Sequence, residues 1–211
     1  LTPGELLRYL AGTKQVTLPA VHVVPMRGYR RDQWWDATGL PWVNPSPNLR
    51  TLDATLLYTG TVFFEGTNLS EGRGTDAPFQ LVGAPWLTDA PAIADALNAR
   101  ALGGVRFDAV TRAVAAGQKH GGQTIPMVRV TVTDRDRVRP VDVGLWMLRE
   151  IRARHPREFE WRASMMDRLS GSDRARRAVD AGDAEVAALL RTFDAESRAF
   201  EGATRPYRLY R

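Results

Sequence analysis

The chain has 211 residues, 44% hydrophobic and 25% charged, the proportions of a globular domain large enough to bury about 70% of its unfolded surface. No apolar run approaches the ~20 residues that span a bilayer, no signal-peptide pattern is present, and the lack of cysteine excludes disulfides and thiolate metal sites. The net charge of +5 rests almost wholly on arginine, since Lys14 and Lys119 are the only lysines. These arginines are scattered with no sustained basic run, which argues against a nucleic-acid surface.

Along the chain, Thr2-Pro-Gly-Glu5 is a capping box with proline at the first helical position and predicts a helix over about residues 3–11. The β-branched run Val16–Val24 reads as a strand, with Pro19 pointing to an edge or bulge. Pro25, Gly28, Gly39, Pro41, Pro45 and Pro47 make residues 25–50 a loop. Leu52–Phe64 fits neither the helical nor the strand period cleanly. Asp89 before Pro91, with Ile93, Leu97 and Ala101 on one stripe, predicts a helix ending near Gly103. Val105–Val114 and Met127–Thr133 read as strands. Pro140 opens a helix along Val141, Leu145, Leu148 and Ile151 that Pro156 stops. Asp183 starts the last long helix, with Val186, Leu189, Leu190, Phe193 and Phe200 facing inward. Strands and helices intermingle without strict alternation, which makes the fold class α+β: a single mixed α/β domain with no internal repeat.

Chemistry concentrates in Thr61–Thr75. Glu65 follows Phe63 and Phe64, where partial desolvation would raise its pKa as a general acid requires; otherwise it caps the following turn. Glu71 lies two residues from Arg73, whose guanidinium would keep it ionised as a base or hydrogen-bond acceptor, unless the pair is only a salt bridge within the loop. Gly66, Gly72 and Gly74 let the backbone turn sharply. Thr67, Asn68, Ser70 and Thr75 either bind sugar-like hydroxyls or hold the loop through bonds to its backbone. Asn48, in the proline-stiffened Pro45-Ser-Pro-Asn48, suits a preorganised contact or a plain turn. Trp34, Trp35 and Trp42 offer stacking faces or ordinary packing. Three dispersed histidines without ligand spacing make a metal site improbable, and no phosphate-binding or serine-nucleophile motif occurs.

The blocks Thr38-Gly-Leu-Pro-Trp-Val-Asn-Pro-Ser-Pro-Asn48, Leu57-Tyr58, Glu65-Gly-Thr-Asn-Leu-Ser-Glu-Gly-Arg-Gly-Thr75, Pro78-Phe79, Gly83-Ala-Pro-Trp86, Lys119-His120-Gly121, Val132-Thr133-Asp134, Phe159-Glu160-Trp161 and Arg205-Pro-Tyr-Arg-Leu-Tyr210 resemble the NamZ family across the whole chain. Its members are peptidoglycan exo-β-N-acetylmuramidases that remove N-acetylmuramic acid from non-reducing ends. The resemblance implies an upstream Rossmann-like half, with residues 1–20 as the end of that domain and 21–211 as the C-terminal domain. The chain then resembles a C-terminal fragment that supplies part of a shared cleft. It further implies no cofactor, a muramic sugar from peptidoglycan as partner, and an extracellular or cell-envelope location. Family members often carry a Cys and then a His in the strand after Lys119-His120; Thr124 and Thr131 stand there, which weakens that strand's claim to the site.

On this resemblance Glu65 and Glu71 are the catalytic candidates. Arg73 is the candidate for the lactyl carboxylate of the sugar, and Asn68, Asn48, Ser70, Thr75, Lys119 and His120 are further substrate contacts. Glycosidase carboxyls stand ~5–5.5 Å apart when retaining and ~6.5–9.5 Å when inverting, and a six-residue glycine-bearing loop meets either spacing. A second carboxyl outside the chain, or the substrate's own acetamido group, can take the partner role. The rival reading is a non-catalytic sugar-binding module of such an enzyme.

Overall fold

Thr2 does cap the first helix. Its hydroxyl accepts from the Glu5 backbone N–H at 3.3 Å while the Glu5 carboxylate accepts from the Thr2 N–H at 2.8 Å, opening α1 at Pro3–Gly12. A computed structural model describes residues 1–210 and divides the chain into two compact units, Leu1–Trp42 with Arg191–Arg211, and Val43–Leu190.

In the first unit, Val16–Val24 forms no strand: the segment is irregular and mostly exposed. Pro19 removes a backbone donor inside the segment and Pro25 another just after it, and no described strand of the three-stranded sheet pairs with it. Residues 25–51 are loop apart from one 3-10 turn, Trp35–Thr38. Tyr9 packs edge-on against Phe200 and Tyr207, each with ring centroids 5.5 Å away. Phe200 nevertheless stays 48% exposed, so it edges this aromatic cluster and does not fill a core. The most enclosed group is Glu5, whose carboxylate accepts from Arg31, from the Leu209 N–H at 2.7 Å and from the Tyr210 N–H at 3.3 Å.

The second unit holds the core. Thr51 caps α2 at Leu52–Thr61, its hydroxyl accepting from the Ala54 N–H. A 3-10 turn over Val62–Gly66 follows directly. Three short, buried residues form β1 (Leu81–Gly83), then come α3 (Ala90–Ala99), β2 (Val105–Ala113) and β3 (Thr124–Val132). The sheet is antiparallel in the order β1-β3-β2, with Val82 opposite Val128 and Phe107 opposite Val130. Pro126 lies one residue beyond the last β1 pair, where β3 has become an edge on that side. Leu81, Val114, Ile125 and Met127 form one buried cluster.

Next come α4 (Pro140–Arg154), α5 (Ala163–Ser170), α6 (Arg174–Ala181) and α7 (Asp183–Thr204), which runs from this unit into the other. The helix α3 packs on β2 and β3, while α4 lies against α2, α3 and α6. Where α2 meets α4, a Cβ at Gly60 would overlap the Pro140 carbonyl and one at Gly144 the Gly60 carbonyl. The two helices therefore touch backbone to backbone. The observed class is the α+β one that the pattern of elements predicts.

Candidate active site

The 3-10 turn after α2 delivers Glu65 and releases the chain into a loop that closes at Phe79. Both ends are tied down: the buried Thr61 hydroxyl sits 3.0 Å from the Leu57 carbonyl and 2.9 Å from that of Phe79. The Phe79 N–H donates to the Glu71 carbonyl at 2.8 Å. Gly72 and Gly74 take positive φ of 80° and 82°, and a Cβ on either would press on backbone atoms. Ser70 exchanges two backbone hydrogen bonds with Gly83, which attaches the loop to the end of β1.

Within this frame four charged side chains interlock. Arg73 donates from Nη1 to Glu71 Oε1 at 2.8 Å and from Nη2 to Glu65 Oε1 at 2.7 Å. Lys119 donates to Glu71 Oε2 at 3.0 Å and to the Phe64 and Leu69 carbonyls, both at 2.9 Å. The Arg73 guanidinium lies over the Phe79 ring, 4.9 Å from its centroid. Glu71 is the deep member, its side chain 4% exposed, whereas Glu65 keeps 23%. Burial pushes the Glu71 carboxyl up, but the Lys119 charge and the Arg73 hydrogen bond outweigh it and hold the carboxyl below its usual range. Burial pulls the Arg73 guanidinium down, and its bonds to Glu71 and Glu65 more than restore it. Lys119 is lowered, chiefly by burial and further by the Arg162 charge, against the pull of Glu71. The pair shifts unevenly because Glu71 faces two cations while Lys119 has one carboxylate in contact. Glu71 is thus the securely ionised partner.

Several expectations change on this geometry. Glu65 is not a carboxyl in an apolar pocket, since the 3-10 turn hands it to Arg73. Only its Oε1 is engaged by a described residue, and the side chain keeps part of its surface exposed. Arg73 is no unoccupied clamp, because both terminal nitrogens already hold carboxylates. Lys119, expected as a substrate contact, has its three protons matched by three acceptors inside the protein. Asn68 donates to the Glu158 carbonyl at 2.7 Å and accepts from the Glu160 N–H at 3.1 Å. The Asn68 carbonyl lies 2.9 Å from His120 Nε2, and His120 itself takes a left-handed φ of 59°. Ser70 Oγ accepts from the Gly72 N–H, while Thr75 Oγ1 donates to the Gly72 carbonyl and accepts from the Ala77 N–H. These side chains hold the loop. Asn48 is half-buried before α2, and its side chain bonds to no described residue.

Trp34, Trp35 and Trp42 belong to the other unit, where Trp35 meets Trp42 edge-on at 6.1 Å. A shallow depression of about 270 Å³ there is lined by Arg30, Asp32, Gln33, Trp34 and Ala37, and contains none of the interlocked charges. The aromatic that does meet the loop is Trp161: Thr67 and Trp161 form an isolated antiparallel bridge, and the indole N–H bonds to Asp180. Its neighbour Arg162 donates its backbone N–H to the Gly66 carbonyl at 2.7 Å. The sequence signal for this contact is the block Phe159-Glu160-Trp161; Arg162 itself is one arginine among many. No group of three or more metal-binding side chains occurs among the described residues.

Comparison with known families places this loop. The model of the C-terminal domain of the exo-β-N-acetylmuramidase NamZ matches residues 56–210, and that of the N-terminal domain matches residues 1–53. The chain belongs to the NamZ family. The peptidoglycan β-N-acetylmuramidase NamZ of Bacillus subtilis is 34% identical to it over 212 residues, covering all of this chain and 50% of that protein. A DUF1343 family protein from Bacteroides fragilis superposes with a TM-score of 0.88 at 25% identity, over 99% of this chain and 56% of the other. A second protein of that family and organism gives 0.65 at 21% identity, over 99% and 55%. The chain thus spans about half the length of the NamZ relatives it matches. The loop Glu65–Thr75 lies wholly within the segment matched by the C-terminal NamZ model.

Proposed function

We propose that this chain forms part of the active-site cleft of a glycoside hydrolase that removes β-linked N-acetylmuramic acid from the non-reducing ends of peptidoglycan fragments. Membership of the NamZ family supports the hydrolase class. The observation that carries the assignment to this chain is the unequal pair of carboxylates bridged by Arg73. Glu71, buried and ionised between Lys119 and Arg73, anchors the guanidinium. Glu65, held by that guanidinium through one oxygen, keeps the other unbonded on a partly exposed side chain. Glu65 is therefore the group that meets the glycosidic bond, an ionised carboxylate set to stabilise the positive charge that develops on the sugar as the bond breaks. Arg73 and Glu71 fix its position and hold the local charge constant while oxocarbenium character develops. The remaining contacts come from the rest of a NamZ-type enzyme, a Rossmann-like domain among them, and the reaction needs no cofactor. The site of action is the cell wall, outside the cytoplasmic membrane, where its fragments become available for recycling.

The test is release of chromophore from a β-N-acetylmuramide, by this chain alone and joined to a complete NamZ-type N-terminal domain. Glu65→Gln is expected to lower kcat by about 10²–10⁴-fold with the circular dichroism spectrum intact. If the folded variant loses affinity for the sugar and keeps its turnover, the chain is instead a sugar-binding module and the catalytic carboxyls lie elsewhere.

A further inference from the structure

We infer that Arg162 recognises the anionic substituent of the sugar, the lactyl carboxylate by which a muramic residue differs from glucosamine. This inference rests on the muramidase reading and adds to it the residue that sets specificity. The argument begins with charge. Glu65 and Glu71 carry two negative charges, and Arg73 and Lys119 two positive ones, all bonded to one another. The quartet is neutral. An anionic substrate approaching the open oxygen of Glu65 meets no surplus positive charge from it, and meets a carboxylate first. To bind there it needs a further cation that the quartet has not consumed.

Arg162 is placed to be that cation. Its backbone N–H is fixed to the carbonyl of Gly66, the residue next to Glu65. A Cβ at Gly66 would come within 2.7 Å of Met166 Cα, so the first turn of α5 is seated directly on that glycine. The root of Arg162 is thereby held in register with Glu65. Its side chain is exposed, and its guanidinium makes no hydrogen bond or ion pair with any described residue, Glu160 two positions earlier included. The charge nevertheless reaches the quartet, since it contributes to lowering Lys119. An arginine with an open fork, rooted on the residue next to the reacting carboxylate, suits bidentate capture of a carboxylate.

The experiment compares a chromogenic β-N-acetylmuramide with its lactyl methyl ester, which has the same shape without the charge. In wild-type protein the acid is expected to be the preferred substrate. Arg162→Gln is expected to reduce that preference ratio by roughly 10–100-fold through KM, the effect of losing a charged hydrogen bond. Arg162→Lys is expected to recover part of it. The inference is overturned if Arg162→Gln leaves the ratio unchanged, or lowers both substrates equally as a structural role would. Calorimetric binding of free N-acetylmuramic acid separates the two readings. Turnover that depends on Glu65, with binding indifferent to Arg162, removes this inference alone. Binding that depends on Arg162, without turnover, removes the catalytic reading and keeps the recognition. Wild-type protein that neither binds nor cleaves removes both.

Discussion

Each unit buries one glutamate, and the two are satisfied by different kinds of partner. Glu5 has no accessible surface and accepts from three backbone N–H groups, those of Thr2, Leu209 and Tyr210, as well as from Arg31. Glu71 accepts only from side chains, Arg73 and Lys119. Backbone donors belong to the chain path, so a carboxylate that collects them fixes where segments run. Here it pins α1 to the residues near the C-terminus. Cationic side chains are separable from the path, so a carboxylate that collects them sets charge and orientation around a site. One glutamate is a fastener for the chain and the other organises a reacting group.

Removing Glu71 should have the largest effect. Glu71→Leu strands the largely buried Lys119 ammonium without a carboxylate and leaves Arg73 with Glu65 alone, and about 3 kcal/mol of stability is expected to go, with turnover. Chemical denaturation alongside the muramide assay reads both, and an active, equally stable variant would show that Glu71 organises nothing. Glu5→Gln leaves one amide oxygen for four donors and is expected to cost about 1–3 kcal/mol. Hydrogen exchange should localise the loss to α1 and residues 205–210, a pattern that loss of protection around Glu65 would contradict.

Acid should separate the two further. Burial alone raises the Glu5 carboxyl, yet it lies shallowly under the surface, and the bonds from Thr2, Arg31, Leu209 and Tyr210 outweigh that and lower it from 4.5 to about 2. A lowered carboxyl stabilises the fold fully above its unfolded value and loses that contribution as pH falls through its folded one. Protection of the Leu209 and Tyr210 amides should therefore hold above about pH 4.5 and fade toward pH 2. Fading at neutral pH would refute the fastener. The smallest effect is Thr2→Ala, about 1 kcal/mol from the lost cap, measured as fraying of α1.

Much of this was open to sequence reading where local rules decide. Capping at Thr2, proline at the start of α4 and period-two alternation in β3 each act within a few residues, and those elements formed where expected. Val16–Val24 shows the limit: β-branched composition makes a strand only where a partner supplies hydrogen bonds. The three residues of β1 were too few to display a period, and α5 and α6 had no clear start signals. At the site, sequence density located the loop and three of the four interlocking charges. It did not reveal their pairing, because Lys119 is 48 residues from Glu71 and Arg162 is 96 from Gly66. Contacts of that span are made by the fold, and side chains that look available in a string are satisfied once it closes.

The contact between α2 and α4 at Gly60 and Gly144 also has a mechanical consequence. Side chains between helices act as soft bearings, since rotamers can give a little under load. Where backbone rests on backbone there is no such layer, and one helix cannot slide on the other without lifting away. Glu65 follows α2 after a single tight turn, so a force applied to it by a substrate is not absorbed at that crossing. It passes into α4 as displacement of the whole element, which makes the pair of glycines a rigid support behind the reacting carboxylate.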